Sequence, residues 1–325
     1  MITGRAWPAD GSRRRGGGID IIQRSLRNVF ANWPLLLIRI AEAVAVAIVM
    51  VGAFVAAFLP SAIGVFSSIR SGGGPEQFAE ALLAHPVLLI LGFLVVCLGL
   101  VAALAIHAFI EAGAVGIYLE GWKAAAALGS QNRQVYDRFS SDAWIAHARR
   151  SWWKVFLVYN AIWGLFGLIL ILPLIAIGVA IVGMVQQNAL AAIGCLGAGV
   201  LIVVTLVASL IFNVWTRLAV ADAVERSGTA GESVRRGWQL IFGRLSDVVV
   251  VVAVFIGVSI GTMVIFGSLY FVIGIISNLA PLASLPVQLM VSLGNNVLSV
   301  ILSGWLAAAM AGVLLKSEGS PVYGP

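Results

Sequence analysis

Six long apolar runs dominate the pattern of hydrophobic and polar positions along the chain. They extend over about residues 34–59, 87–110, 155–184, 189–215, 248–277 and 287–315. Because an α-helix rises about 1.5 Å per residue, about 20 apolar residues cross the roughly 30 Å hydrocarbon core of a bilayer. Each run is long enough, and none alternates in the way that the strands of a membrane β-barrel do. The pattern predicts an all-α integral membrane protein with six transmembrane helices.

The composition supports a membrane protein and excludes several other classes. Of the 325 residues, 61% are hydrophobic and 10% are charged, whereas about 25% of the residues of a soluble domain are charged. This balance excludes a soluble globular, a disordered or a disulfide-rich secreted protein. The two cysteines, Cys97 and Cys195, fall inside apolar runs, where a thiol behaves as a small apolar group. We therefore expect neither a disulfide nor a zinc site.

Basic residues mark one side of the predicted membrane protein. The segments before run one, between runs two and three, between runs four and five, and after run six hold 18 of the 20 Lys and Arg residues. By the positive-inside rule, these segments face the cytoplasm, so we expect a bacterial inner-membrane protein with both termini cytoplasmic. The same asymmetry explains the net charge of +6, and we expect no nucleic-acid partner.

A heptapeptide pattern occurs three times, at residues 24–30, 150–156 and 236–242. Each copy has an arginine, a small residue, a large apolar residue, two variable positions, a branched aliphatic residue and phenylalanine, and each precedes an odd-numbered run. The pattern predicts three repeats, at about residues 19–128, 136–225 and 228–317, each an interfacial helix followed by a two-span hairpin. They form one predicted membrane domain, residues 19–317, between a disordered basic tail, residues 1–18, and a short cytoplasmic tail, residues 318–325.

Each heptapeptide belongs to a longer stretch in which apolar and basic residues recur at helical spacing. Such helices lie in the membrane interface, with the apolar face in the acyl boundary and the arginines toward lipid phosphate. The sequence therefore predicts contacts with anionic lipid of the cytoplasmic leaflet, or with a protein partner of unknown identity. The candidate contact residues are Arg24, Arg27, Arg149, Arg150, Arg235, Arg236, Trp152 and Trp238.

Three segments resemble the six-span membrane domain attached to some bacterial glycerophosphodiester phosphodiesterases, and related stand-alone six-span proteins. They are residues 111–120 (EAGAVGIYLE), residues 149–156 (RRSWWKVF), and residues 218–225 (LAVADAVE) leading to residues 232–238 (ESVRRGW). The resemblance implies the six-span architecture. Because no phosphodiesterase domain follows run six in this sequence, the resemblance does not carry over phosphodiesterase activity, and it leaves the function open.

A few polar residues interrupt the apolar runs, and such residues mark functional sites by default. Arg39 and Glu42 are three residues apart and could pair, while Arg39 could also reach the headgroups. His107 and Glu111 are four residues apart and share one helix face. The asparagines in the runs could join helices by hydrogen bonds, or line a polar cavity together with Arg39. The candidate intramembrane polar residues are Arg39, Glu42, His107, Glu111, Asn160, Asn213 and Asn296.

No arrangement of residues in the sequence indicates catalysis. Residues 257–261 (Gly-Val-Ser-Ile-Gly) match the nucleophile pattern of hydrolases, but that motif needs a strand, a turn and a helix with acid and histidine partners. Here the small residues lie inside an apolar run, where they favour close helix packing. We therefore expect no enzyme, no cofactor and no metal. The leading hypothesis is a non-enzymatic accessory or scaffold protein, and the alternative is a permease for a lipid or small molecule.

Overall fold

The computed structural model of the protein describes residues 17–70, 86–129, 132–185, 190–279 and 281–317. In this part of the chain, all regular secondary structure is helical. The two predicted tails lie outside these residues, apart from Gly17 and Gly18.

Eight α-helices and one short 3-10 turn make up the described residues. The helices are α1 (Gly18–Ala31), α2 (Pro34–Arg70), α3 (Pro86–Ala127), α4 (Ser141–Val185), α5 (Leu190–Glu225), α6 (Ala230–Gly243), α7 (Leu245–Leu279) and α8 (Pro281–Ser317), and the 3-10 turn is Arg133–Tyr136.

Six of the helices are long and apolar enough to cross a membrane, namely α2, α3, α4, α5, α7 and α8. Their apolar side chains point largely outward. On α2, for example, Val44 is 55%, Ile48 67% and Val51 62% exposed. A continuous apolar surface of this kind would be unstable in water and suits a lipid solvent. The prediction of an all-α, multi-pass membrane protein is confirmed.

The helices extend well beyond the apolar runs that predicted them. Helix α3 continues from the predicted end at Ile110 to Ala127, and α4 begins at Ser141, ahead of its apolar run. The added segments are helical because they pack on other helices of the chain. In α3, every residue from Glu111 to Leu119 is buried. Their composition is too polar or too poor in large apolar residues to stand out in a search for membrane spans.

The three amphipathic segments differ in how they join the following span. The first and third are separate helices, α1 and α6, but the second is continuous with α4. The sequence explains this difference. Asn32-Trp33-Pro34 ends α1, because proline removes a backbone donor and restricts the residue before it, and Gly243-Arg244 follows α6. At the corresponding point the second copy has Leu157-Val158, which continues the helix.

By their contacts, the described residues form two compact units. The first contains α1, the end of α3 from Tyr118, the 3-10 turn, and the chain from Trp238 onward. The second contains α2, α3 as far as Ile117, α4, α5 and the start of α6 up to Gly237.

In the first unit, α1 packs its apolar face on α8. Ile21 and Val29 are fully buried. The indole Nε1 of Trp305 on α8 donates to the carbonyl of Ile22 at 3.0 Å and to Ser25 Oγ at 2.8 Å. The expectation that this face inserts into lipid is therefore wrong for most of α1, because protein already covers it. Ile19 remains 65% exposed.

In the second unit, small residues allow close packing of the amphipathic segments on helix ends. The ring of Trp144 lies over Gly113, and that of His147 lies over Gly116. Gly237 of α6 lies against the backbone of Ala219 on α5. At all three positions a glycine provides the space that a neighbouring side chain or backbone occupies.

We expect Gly237→Ala to destabilise the protein by about 1–3 kcal/mol, the usual cost of overpacking. A Cβ atom at this position would lie 2.8 Å from the backbone nitrogen of Ala219 and 2.9 Å from its Cβ atom, so the two helices would have to separate. The measurement is the SDS-unfolding midpoint of the protein in detergent micelles.

The matched control is Gly231→Ala in the same helix. A Cβ atom there meets nothing within 4 Å, and alanine is favoured over glycine in a helix by about 0.5–1 kcal/mol. Equal stability of the two variants would contradict the close packing of α6 on α5.

Candidate functional site

Six polar side chains from four helices of the second unit come together between the apolar spans. We call them the polar cluster. It consists of Arg39 and Glu42 on α2, His107 and Glu111 on α3, Tyr159 on α4 and Arg217 on α5.

The carboxylate of Glu111 is the centre of the polar cluster. Its side chain is fully buried. Arg39 donates a hydrogen bond to its Oε2 atom, and Arg217 donates one to its Oε1 atom. Each carboxylate oxygen therefore has its own guanidinium partner, and the three side chains connect α2, α3 and α5.

His107 forms a second arm of the polar cluster. Its Nδ1 atom contacts Glu42 Oε1, and its Nε2 atom lies 3.0 Å from the hydroxyl of Tyr159. The two rings meet edge to face, with their centroids 4.9 Å apart. The other oxygen of Glu42 lies 3.8 Å from Arg39 Nη1, which joins this arm to the Glu111 centre.

The charges of the polar cluster balance. Two guanidinium groups face two carboxylates, so the net charge is zero when His107 is neutral. Buried charges are stable in a membrane only when they are paired. Arg39 lies five residues after the start of α2, about 8 Å along a helix that rises about 1.5 Å per residue. Glu111 and Arg217 come just after the apolar runs 87–110 and 189–215, so the cluster lies toward one end of the apolar spans.

The sequence identified four of the six members and missed two. Arg39, Glu42, His107 and Glu111 are all candidate residues of the sequence analysis. The apolar pattern places Arg217 in the segment between runs four and five, but it lies on α5 with only 12% of its side chain exposed.

A signal for Arg217 existed in the sequence. Arg217 follows Asn213 by four residues and precedes a run rich in small residues. Glu111 likewise follows His107 by four residues and precedes a run of this kind. Tyr159 gave no comparable signal, because a tyrosine near the start of a span is common in the aromatic belt.

Two of the predicted asparagines, Asn160 and Asn213, belong to the same unit as the polar cluster but do not join it. Asn160, Asn213 and Asn296 are exposed on the surface of the chain. The side-chain amide of Asn160 donates to the carbonyl of Phe156, one turn earlier, at 2.8 Å. Within the second unit, Asn160 and Asn213 therefore do not lie beside Arg39 in a polar cavity.

A second site lies where α4, α5 and α6 meet at their polar ends. Three arginines from these segments border a cavity of about 550 Å³, which we call the basic cavity. It is lined by Arg150, Glu225, Arg226, Ser227, Gly228, Glu232 and Arg236. Two candidate contact residues of the sequence analysis, Arg150 and Arg236, therefore come together here.

Carboxylates hold two of these arginines in place. The buried Asp222 lies 3.1 Å from Arg226 Nε and 3.8 Å from Arg236 Nη1. Arg236 also lies 3.7 Å from Glu232. The ammonium group of Lys154, on α4, donates to the backbone carbonyl of Arg226 at 2.8 Å. The cavity wall is thus a network of charged groups with several cations at its edge.

The other candidate contact residues are spread over the remaining helix surfaces. Arg24 pairs with Asp20 at 2.9 Å, and Arg27, Arg149 and Arg235 are exposed. The indole of Trp152 meets that of Trp153 edge-on at 5.4 Å, and Trp238 is 41% exposed beside Phe242.

Comparisons with protein-family models, with curated proteins and with solved structures found no match for this chain. Among the residues that the structure describes, no group of three or more His, Cys, Asp or Glu side chains could hold a metal ion.

Proposed function

We propose that this protein is a non-enzymatic accessory protein of the bacterial inner membrane that binds the headgroup of an anionic phospholipid. The observation that carries the proposal is the basic cavity, where Arg150, Arg226 and Arg236 border one space. Guanidinium groups suit phosphate because their planar donors form paired, charge-assisted hydrogen bonds with its oxygens.

The position of the basic cavity along the helices fits a lipid headgroup. Arg150 precedes the apolar run of α4 by five residues, and Arg226 follows the end of α5. Both residues are expected at the level of the membrane interface. By the positive-inside rule this is the cytoplasmic side, where anionic lipids attract Lys and Arg.

The carboxylates of the basic cavity limit what it can bind. Asp222 is buried and orients two arginines from behind, whereas 45% of the Glu232 side chain is exposed. An incoming phosphate would compete with Glu232 for Arg236. A site with both signs of charge thus favours a ligand that places its phosphate against Arg150 and Arg236.

Three contacts support the threefold repeat as part of this proposal. Helix α1 packs on α8, the start of α4 packs on α3 at Gly113 and Gly116, and α6 packs on α5 at Ala219. Each time, the amphipathic segment of one proposed repeat lies against the second span of another. The six-span layout is also what the resemblance to the phosphodiesterase-associated membrane domain implies, and we keep that relationship as a proposal.

The experiment compares two double variants of the full chain. Arg150→Gln with Arg236→Gln removes two cations from the basic cavity, and Arg149→Gln with Arg235→Gln removes their sequence neighbours, which do not line it. Because the loss of each specific hydrogen bond to the phosphate costs about 1 kcal/mol, we expect the first pair to weaken binding by about tenfold to thirtyfold and the second to have a much smaller effect. The measurement is titration with short-chain phosphatidylglycerol in mild detergent.

An equal loss of lipid affinity in both double variants would mean that the lipid responds to the positive charge of the whole surface. This result would overturn the proposal of a specific site. Competition by inorganic phosphate alone, at the same concentration as the lipid, would show that the cavity takes a free anion and that the lipid is not its ligand.

A further inference from the structure

We propose that one face of α8 binds the same face of a second copy of this chain inside the membrane, with Asn296 paired to Asn296 of the other copy. The face consists of Leu289, Ser292, Asn296 and Ser299, and we call it the α8 face. This inference concerns the first unit alone, and it depends neither on lipid binding in the basic cavity nor on the polar cluster.

Asn296 places a carboxamide near the middle of the membrane. It lies nine residues after Val287, where the sixth apolar run begins, and this is about 14 Å along a helix that rises about 1.5 Å per residue. The hydrocarbon core of a bilayer is roughly 30 Å thick. The side chain of Asn296 is therefore far from the headgroups on both sides of the membrane.

The carboxamide of Asn296 is exposed and has no hydrogen-bond partner among the residues that the structure describes. Lipid tails neither donate nor accept hydrogen bonds, so a carboxamide without a partner is unfavourable at this depth. Asn160 shows how a helix can satisfy such a group locally, because its amide donates to the carbonyl of Phe156 on the same helix at 2.8 Å. Asn296 makes no such bond, so its partner has to come from another helix.

The residues around Asn296 suit a close contact between two helices. The four members of the α8 face are separated by three, four and three positions, which is the heptad spacing of helices that cross at a small left-handed angle. Each member is at least partly exposed. The two serines are small enough to let the backbones approach. The hydroxyl of Ser299 already donates to the carbonyl of Asn295 at 2.8 Å, so it needs no further partner.

A second copy supplies the partner that Asn296 needs. All copies insert into the membrane with the same orientation, so the α8 helices of two copies run parallel. A two-fold axis along the membrane normal then sets Asn296 opposite Asn296 at the same depth. Because a carboxamide both donates and accepts, the two side chains exchange hydrogen bonds. A single asparagine at one heptad position also fixes the register of such a pair.

Cysteine cross-linking of the full chain in the membranes of the expressing cells tests the contact. Leu289→Cys and Met290→Cys replace adjacent side chains that are 65% and 73% exposed, but the two positions lie about 100° apart around the helix. Each variant is made in a chain whose Cys97 and Cys195 are replaced by alanine. With copper phenanthroline as the oxidant, we expect a disulfide-linked dimer for Leu289→Cys and for Ser299→Cys, and none for the control Met290→Cys.

Replacement of the carboxamide tests the role of Asn296. We expect Asn296→Leu to weaken self-association by about tenfold, because two exchanged hydrogen bonds are lost and each contributes modestly in a membrane. Asn296→Gln keeps a carboxamide and should retain part of the affinity. Asn160→Leu is the matched control and should leave self-association unchanged, since its amide is satisfied on its own helix. The measurement is energy transfer between donor-labelled and acceptor-labelled copies as the ratio of detergent to protein is raised.

The absence of a dimer with Leu289→Cys, or equal cross-linking of Leu289→Cys and Met290→Cys, would overturn the proposed contact. Equal self-association of Asn296→Leu and the unmodified chain would do the same. A cross-link from Leu289→Cys to a different protein, without the dimer, would contradict a second copy as the occupant of the α8 face. The arginine variants of the basic cavity test lipid binding separately, so failure of one proposal leaves the other in place.

Discussion

Glu111→Gln is expected to destabilise the protein by about 3–5 kcal/mol, the usual cost of removing one partner from a buried ion pair. Glutamine has the shape of glutamate but carries no charge. Arg39 and Arg217 would then lie buried with only Glu42 as a counter-ion, 3.8 Å from Arg39. Since three helices meet at Glu111, the loss should affect the packing of α2, α3 and α5 together. The measurement is the midpoint of SDS-induced unfolding in mixed micelles.

The matched control is the same change at an exposed carboxylate. Glu232 pairs with Arg236 and also accepts from the backbone nitrogen of Thr229 at 3.3 Å, a capping contact that glutamine preserves. With 45% of its side chain exposed, Glu232→Gln should change stability by no more than about 1 kcal/mol. Similar midpoints for the two variants would contradict the central role of Glu111 in the polar cluster.

The second large effect is expected for Trp122→Ala, at about 3–5 kcal/mol. Trp122 is fully buried in the first unit. Its indole donates to the carbonyl of Ala308 at 2.8 Å, meets the ring of Tyr136 edge to face at 6.1 Å, and lies over Gly312. Replacement by alanine leaves a large cavity between the end of α3 and α8. Thermal unfolding in detergent, followed by near-ultraviolet circular dichroism, reports this loss.

Trp153→Ala serves as the matched control, because the same atoms are removed from a surface position. Trp153 is 53% exposed, and its ring contacts are with Trp152 and Phe156 on its own helix. The loss of an aromatic pair costs about 1 kcal/mol. If Trp122→Ala melted at the same temperature as Trp153→Ala, the packing of α3 on α8 would be wrong.

The six spans were predictable because they depend on a local property, the length of an apolar run. Each predicted run coincides with one long helix, and Pro34 even marks the start of α2. The ends of the helices were not predictable from a local property of this kind. The segment after Glu111 is helical because it packs on Trp144 and His147, and this contact joins residues about 30 positions apart in the sequence.

The assembly of the polar cluster depends on tertiary structure in the same sense. The i,i+3 and i,i+4 spacings of Arg39 with Glu42 and of His107 with Glu111 are visible in the sequence. Which of these pairs meet each other depends on how four helices pack, and the chain separates Glu42 from His107 by 65 residues. Arg217 lies a further 110 residues along the chain and completes the balance of charge.

The amphipathic segments show where the sequence pattern was ambiguous. An apolar stripe on a helix predicts burial, but it does not distinguish lipid from protein as the covering. For α1, the buried Ile21 and Val29 and the hydrogen bonds of Trp305 show that protein covers the stripe. Among the arginines of these segments, Arg150 and Arg236 are the ones proposed to bind a lipid headgroup.

The most direct test of the central claim is the side of the membrane on which the basic helix ends lie. Single cysteines are introduced at Ser227, beside the basic cavity, and at Ser71, between the first two apolar runs and outside the described residues, in a chain whose Cys97 and Cys195 are replaced by alanine. A membrane-impermeant maleimide should label Ser227→Cys only in inside-out vesicles and Ser71→Cys only in intact cells. Labelling of both positions from the same side, or of Ser227→Cys from outside, would contradict a six-span protein with its basic face in the cytoplasm.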